Sequence, residues 1–241
     1  MASKKILYYV GKSHYAEAEV FRDMFDDMKC IDIHNQPTTD IMTKHDVLLL
    51  GGGEDISPAL YHSKPCQYNF GPATPSRRDV VESLLVRMAK ERNLPVIGIC
   101  RGAQMLGVES GNMLVQHVTG HERDHDIYFT DYAKRYANIQ DVDMGEYYPC
   151  LSSHHQMVYR VSDNIMPLMH SVPQTKVLIF SDTQVIDMSD GDTDLYPELE
   201  MFVGTKRRIL GIQGHPEYGH IGHPFTDLSR KIVQHYLDSW E

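Results

Sequence analysis

The stretch Pro95-Val96-Ile97-Gly98-Ile99-Cys100-Arg101-Gly102-Ala103-Gln104-Met105-Leu106 constrains the fold more than any other part of this chain. An apolar run, Val96 to Ile99, ends at a cysteine, with glycines two residues before it and two after. G-x-nucleophile-x-G spacing marks a strand that turns sharply into a helix, here with cysteine in place of serine. At so cramped a turn, side chains at the flanking positions clash. The thiol is then held above the sheet edge, near the start of the helix. Backbone N–H groups there favour a thiolate and a developing oxyanion. Free cysteine is also commonly buried. Taken alone, the segment reads equally well as a buried strand that ends in a thiol.

A chain of 241 residues can bury one substantial core, and no linker divides it, so a single domain over residues 1–241 is expected. Hydrophobic content of 41% and charged content of 23% are ordinary for a globular protein. The net charge of -10, with Lys206-Arg207-Arg208 as a short basic group, argues against nucleic acid as a partner. Cys30, Cys66, Cys100 and Cys150 show no C-x-x-C spacing, and a chain this long needs no disulfide staples. Reduced thiols in the cytoplasm fit better. Met1 to Lys5 lacks the apolar core of a signal peptide. No run of about 18 apolar residues exists, so no membrane span is expected.

The pattern along the chain predicts an open α/β sheet with its site on loops at the carboxyl ends of strands. Lys5 to Val10, Cys30 to Ile33 and Val47 to Leu50 read as strands, and Tyr15 to Met28 as a helix with Ala18, Phe21, Phe25 and Met28 inward. Ser76 to Arg92 reads as a helix capped by Ser76 and Asp79, with Val80, Leu84, Leu85 and Met88 as its buried stripe. A helix follows Cys100 to Ser110, with Gly111 as its cap. Met113 to Val118 and Ile127 to Thr130 are short strands, and Tyr132 to Tyr148 carries no clear pattern. Hairpins are expected at Lys176–Ser181 with Gln184–Met188, and at Met201–Thr205 with Arg208–Gln213. Ser189 to Asp194 is an acidic loop, and Phe225 to Trp240 is an amphipathic helix with Leu228, Ile232, Val233, Tyr236 and Leu237 inward.

Other motifs narrow the chemistry. Gly51-Gly52-Gly53-Glu54-Asp55 is either a flexible turn or a nest of N–H groups facing an anion. It is neither G-x-G-x-x-G nor a P-loop, so no nucleotide cofactor is expected. His121-Glu122-Arg123-Asp124-His125 spells H-E-x-x-H, but no helical stripe surrounds it. It reads as a polar loop, and no metal is expected there. A nucleophilic thiol needs a base, and the base an orienting group. His215 follows the apolar run Ile209 to Ile212 as Cys100 follows its own, Pro216 stiffens the turn, and Glu217 suits a carboxylate that fixes the imidazole tautomer.

These residues together carry a resemblance. Gly51 to Tyr61, Gly98 to Gln104, Ser152-Ser153-His154-His155-Gln156 and Arg78-Asp79 resemble the class I glutamine amidotransferase-like superfamily, nearest its γ-glutamyl-γ-aminobutyrate hydrolase type, peptidase family C26. The resemblance implies a flavodoxin-like three-layer α/β/α fold with a mostly parallel central sheet and extra β-hairpins. It implies Cys100 as nucleophile, His215 as base then acid, and Glu217 as orienter. Gly53 and Arg101, with Gly52 adjacent, would form the oxyanion hole. Gln104 and the backbone around Ser153-His154 would hold the glutamyl group, with Asp55 and Arg78 supporting the pocket.

The implied reaction hydrolyses a small γ-glutamyl amide through a glutamyl thioester, without metal or other cofactor. The alternatives are a glutaminase subunit feeding ammonia to a separate synthetase, and a non-catalytic binding protein on the same fold. A homodimer or that synthetase would be the partner. Arg101 stands where ammonia-supplying subunits usually have leucine, which favours the hydrolase. Leu151 stands where the family commonly has asparagine, and the acidic stretch 190–205 is longer than expected.

Overall fold

The computed structural model describes residues 5–10, 16–34, 46–137, 139–188, 197–206 and 208–239. In chain order the elements begin with β1 (Ile6–Val10), α1 (Ala16–Glu19), β2 (Asp27–Cys30), β3 (Val47–Leu50), α2 (Arg77–Glu91), β4 (Val96–Ile99) and α3 (Arg101–Glu109). There follow β5 (Met113–Val115), β6 (His117–Val118), β7 (His125–Phe129), α4 (Asp131–Tyr136), β8 (Tyr147–Cys150), β9 (Met157–Tyr159) and β10 (Ile165–Ser171). The last are β11 (Val177–Ser181), β12 (Gln184–Asp187), β13 (Leu199–Gly204), β14 (Ile209–Ile212) and α5 (Pro224–Asp238).

Among the described residues, nine strands form one sheet in the order β2-β1-β3-β4-β14-β13-β10-β7-β8. The strands from β2 to β14 run parallel. From β13 outward the neighbours are antiparallel. Val47–Leu50, Val96–Ile99 and Ile209–Ile212 are buried along their whole length, as strands covered on both faces must be. Alternate residues serve opposite layers. Leu49, Ile97, Ile99 and Ile212 pack with Phe225, Leu228, Ile232 and Val233 of α5. Leu48, Leu50 and Val96 pack with Leu85, Val86 and Ala89 of α2 and Ala103, Met105 and Leu106 of α3. This is the expected α/β arrangement of a sheet between helical layers, and both expected hairpins are present. No helix among the described residues is long and apolar enough to cross a membrane.

Several local expectations change. The helix predicted from Tyr15 ends at Glu19; residues 11–15 lie outside the described ones, and Asp27–Cys30 is already a strand. Backbone pairing of Asp27–Cys30 with β1 outweighs the helical spacing, although Phe21 and Phe25 still bury themselves. Helix α2 keeps its Ser76–Asp79 capping box, but its buried face is rotated from the expected stripe. Val80 is 57% exposed and Leu84 43% exposed, while Arg78, Asp79, Glu82, Leu85 and Val86 face inward. Met113–Val118 is two strands, not one. Strand β10 was not visible in the pattern, because Pro167 and two register shifts interrupt it. The predicted loop Ser189–Asp194 lies outside the described residues, whereas Leu199–Gly204 in the same acidic stretch is a central strand.

Ion pairs explain the rotation of α2. Arg101, 1% exposed, pairs with Asp79 Oδ1 at 2.5 Å and with Glu82. Arg78 donates to Glu82 Oε1 at 2.7 Å and to the carbonyls of Gly51 and Gly52 at 3.0 Å each. The network ties α2 to the start of α3 and to the glycine loop after β3. Removing one member of a buried ion pair strands its partner's charge and typically costs about 3–5 kcal/mol. Arg101→Met should therefore lower unfolding free energy by about that amount in urea denaturation. A loss under about 1 kcal/mol, the worth of an exposed pair, would show the network to be dispensable.

Candidate active site

The turn from β4 to α3 is built by exclusion. A Cβ on Gly98 would collide with the backbone of Gly102, and one on Gly102 with the Leu50 carbonyl. No substituent fits at either position, so the chain can pass directly from strand to helix. Cys100 between them adopts φ 50 and ψ −107, a conformation that a non-glycine residue holds only where its surroundings force it. Its N–H donates to Ile212 O at 2.8 Å, and its carbonyl accepts from Gln104 N at 3.0 Å.

Strand β14 runs parallel to β4, with Ile212 opposite Ile99, so the residues after β14 emerge beside Cys100. His215 follows three residues after Ile212, its N–H donating to Leu151 O at 2.7 Å. Its Nδ1–H donates to Glu217 Oε1 at 2.6 Å, and Tyr218 stacks on the ring at 4.3 Å and 3°. Nδ1 carries the proton in that bond, which leaves Nε2 as the basic nitrogen. Burial alone would lower the pKa of His215. Interaction with Cys100, and the hydrogen bond and charge of Glu217, overcome it and raise the value from 6.5 to about 11. The sequence-predicted Cys100, His215 and Glu217 are thus one interacting group. Cys100 is 8% exposed and His215 6% exposed.

The glycine loop lies against this group. A Cβ on Gly52 would sit 3.3 Å from His215 Cε1 and 3.8 Å from Cys100 Cβ. Gly53 has φ +154, and the Arg78 guanidinium fills the place its side chain would need. The Gly52 N–H donates to Glu17 Oε1 at 3.0 Å, and Glu17 Oε2 accepts from Tyr9 Oη at 2.8 Å. Of the three expected oxyanion donors, Gly52 is therefore already engaged. The Arg101 side chain is committed to α2, so only its backbone is left to serve as the expected donor.

The expected glutamyl-binding residues divide. Gln104 Nε2 donates to Gln156 O at 3.1 Å, joining α3 to the 151–156 loop. Ser153 is exposed, with its Oγ 3.2 Å from Tyr218 Oη. The His154 ring is buried, with Nδ1 bonded to Gln156 O at 2.9 Å, so its backbone is what remains to meet a substrate. His155 Nε2 and Asp55 Oδ1, 3.1 Å apart, join this loop to the glycine loop. As expected, His121 to Asp124 is a loop and not a helix; His125 opens β7. Two hollows of about 280 and 370 Å³ lie elsewhere, and no triad residue lines either.

Sequence reasoning missed Tyr218, Glu17 and Glu200. Tyr218 follows Glu217 directly and could have been found from that adjacency. Glu17 and Glu200 come from segments with no motif, and folding alone brings them to the loops around the site.

The chain is similar to known proteins in sequence and in fold. Residues 30–175 match the family model described as Peptidase C26. Protein NtpR of Enterococcus hirae is 30% identical over 190 residues, covering 73% of this chain and 68% of that protein. A glutamine amidotransferase from Thermotoga maritima superposes with a TM-score of 0.59 at 13% identity, covering 98% of this chain and 84% of that one. PurLQS from the same organism gives 0.60 at 12% identity, covering 99% and 100%. The chain belongs to the peptidase C26 family of class I glutamine amidotransferase-like proteins.

Proposed function

We propose that this protein hydrolyses a small γ-glutamyl amide, glutamine or a γ-glutamyl-amine, through a glutamyl thioester. The observation that carries the reading is His215, held by Glu217 at 2.6 Å and raised in basicity by Cys100, at a turn that admits nothing larger than glycine beside the nucleophile. Cys100 Sγ attacks the γ-carbonyl, and negative charge develops on its oxygen. The N–H groups of Gly53 and Arg101 receive that charge, a donor of this kind being worth about 3–4 kcal/mol. The His215 imidazolium then protonates the departing amine or ammonia, and the thioester carbon is left on sulfur. Water, deprotonated by His215, attacks the thioester and releases glutamate, returning the thiol.

Ser153 and the backbone of His154 meet the glutamyl end, with Gln104 fixing the loop that presents them. In the second reading the same half-reaction supplies ammonia to a separate synthetase. Its support is the fold shared with PurLQS, and it predicts glutaminase turnover stimulated by a partner. Incubation with glutamine, γ-glutamyl-amines and γ-glutamyl peptides, followed by glutamate release, tests the reaction itself. No turnover of any by folded protein would leave a binding protein on this fold.

Three outcomes follow from the site. Cys100→Ala should abolish turnover in that assay while leaving the circular dichroism spectrum unchanged. Glu217→Gln should retain the nucleophile but lose orientation, lowering kcat by roughly 10²–10⁴-fold. The pH profile is set by the raised pKa of His215. The imidazolium that serves the leaving amine is present below about pH 11 and lost above it, so kcat/KM should hold on the alkaline side until that region. The same sign applies to stability: the contribution is complete below about 6.5 and disappears as pH rises through about 11. Glu217→Gln removes one of the raising interactions, and its alkaline limb should move to lower pH; an unmoved limb would separate Glu217 from the base.

A further inference from the structure

We infer that His121, His125, His154 and Glu200 form a buried binding site for a divalent transition-metal ion of the zinc type, outside the triad. Their inner ring nitrogens converge on a single atom. His121 Nδ1, His125 Nε2 and His154 Nε2 lie 3.1, 3.2 and 3.4 Å from Glu200 Oε1. All four residues are buried, and none of these four atoms has a hydrogen-bond partner of ordinary geometry.

The outer nitrogens decide what the inner ones carry. His125 Nδ1 lies 3.0 Å from Arg123 O, and His154 Nδ1 2.9 Å from Gln156 O. A carbonyl oxygen only accepts, so both Nδ1 atoms bear the proton. His121 Nε2 lies 2.9 Å from Glu198 Oε2. Glu198 also accepts from Ser171 Oγ, Gln174 N and Thr175 N, as an ionised carboxylate does. In their neutral forms all three histidines therefore turn a bare lone pair towards a carboxylate oxygen. Lone pairs facing one another in a dry interior repel, and a positive centre between them is what the arrangement lacks.

Protons answer this poorly. A proton on His121 Nδ1 would relieve only one contact of the three. His125 and His154 still face Glu200, and one oxygen has two lone pairs with which to accept. A metal ion answers all of them at once. Outer nitrogens that donate to backbone carbonyls or a carboxylate are the usual supports of metal-bound imidazoles. The spacings also fit, because ligands about 2.0–2.1 Å from a tetrahedral zinc ion stand about 3.3 Å apart. His121, His154 and Glu200 already offer ligand atoms within 4.8 Å of one another, as do His125, Cys150 and Glu200. Glu200 belongs to both groups; His125, which shares no such group with His121 or His154, moves towards them to close the fourth position.

The role follows from what the ligands join. His121 lies after β6, His125 starts β7, Glu200 lies in β13, and His154 lies in the 151–156 loop. That loop gives its Leu151 carbonyl to the His215 N–H and brings Ser153 to Tyr218. An ion here would pin the loop bordering the triad without touching the reacting atoms. Binding would occur during folding, since the ligands are closed to water afterwards.

The test reads metal first, so it stands whether or not the γ-glutamyl reading does. The full chain, purified without a metal-affinity step, is unfolded in urea with chelator and refolded with or without Zn²⁺. Elemental analysis should then show one zinc per chain after refolding with zinc, together with a higher Tm than the metal-free sample. Glu200→Gln and the double variant His121→Gln/His125→Gln should lose the ion, while His220→Gln, at an exposed position before α5, should keep it. Should the core variants fail to fold, visible spectra of the Co²⁺-refolded wild type decide, with the strong absorption of tetrahedral coordination expected. Absence of stoichiometric metal and of any zinc effect on Tm in the wild type would overturn the inference. So would retention of the ion by the folded double variant.

Discussion

The close approach of the β4–α3 turn to the end of β3 governs the geometry around Cys100. Gly98 meets the backbone of Gly102, and Gly102 meets the Leu50 carbonyl, with no room for a methyl group at either place. This contact forces Cys100 to φ 50 and brings the glycine loop that follows Leu50 beside the thiol. Parallel pairing of β4 with β14 then delivers His215 to the same edge. Three loops meet because three adjacent parallel strands end together, the general reason such sheets carry their sites at carboxyl edges.

Buried charge holds those loops in place. On one side Arg78 and Arg101 share Glu82, and Arg78 also grips the carbonyls of the glycine loop. On the other side Glu200 gathers three histidines beneath the loop that supports His215. Charges so placed lose hydration and return it only with well-formed partners, so they contribute more to a single loop geometry than to net stability. Apolar contacts carry the sheet; ionic contacts determine where the loops stop. The proposed chemistry depends on the second more directly than on the first.

The legible parts of the sequence were those whose signal is local. Val47–Leu50, Val96–Ile99 and Ile209–Ile212 are unbroken apolar runs, and all are central strands. Ser76 and Asp79 spelled a helix start, which both side chains complete. The α2 stripe was misread because Val80 and Leu84 look like core, while Arg78, Asp79 and Glu82 look like surface. Their mutual neutralisation with Arg101 reverses that expectation, and no window along α2 contains Arg101. Strand β10 escaped notice because Pro167 breaks its pattern, and its place in the sheet comes from β13 and β7 on either side. Arg101, read as a mark of the hydrolase branch, holds α2 to α3 with its side chain.

By itself the sequence singled out Cys100, His215 and Glu217, the proposed nucleophile, its base and the carboxylate behind the base. Each sits at the end of an apolar run or within a few residues of one, and spacing along one strand and its turn is fixed by covalent geometry. It also determined the α/β class, because runs buried on both faces require helices to cover them. Only the tertiary structure decided that Glu17 engages the Gly52 amide, and that the ring of His154 turns inward to Glu200. It also brought His121 and His125 of the H-E-x-x-H string to the same oxygen without a helix. These contacts join residues 35 to 79 positions apart, where the closing of the chain on itself, and no local preference, sets the distance.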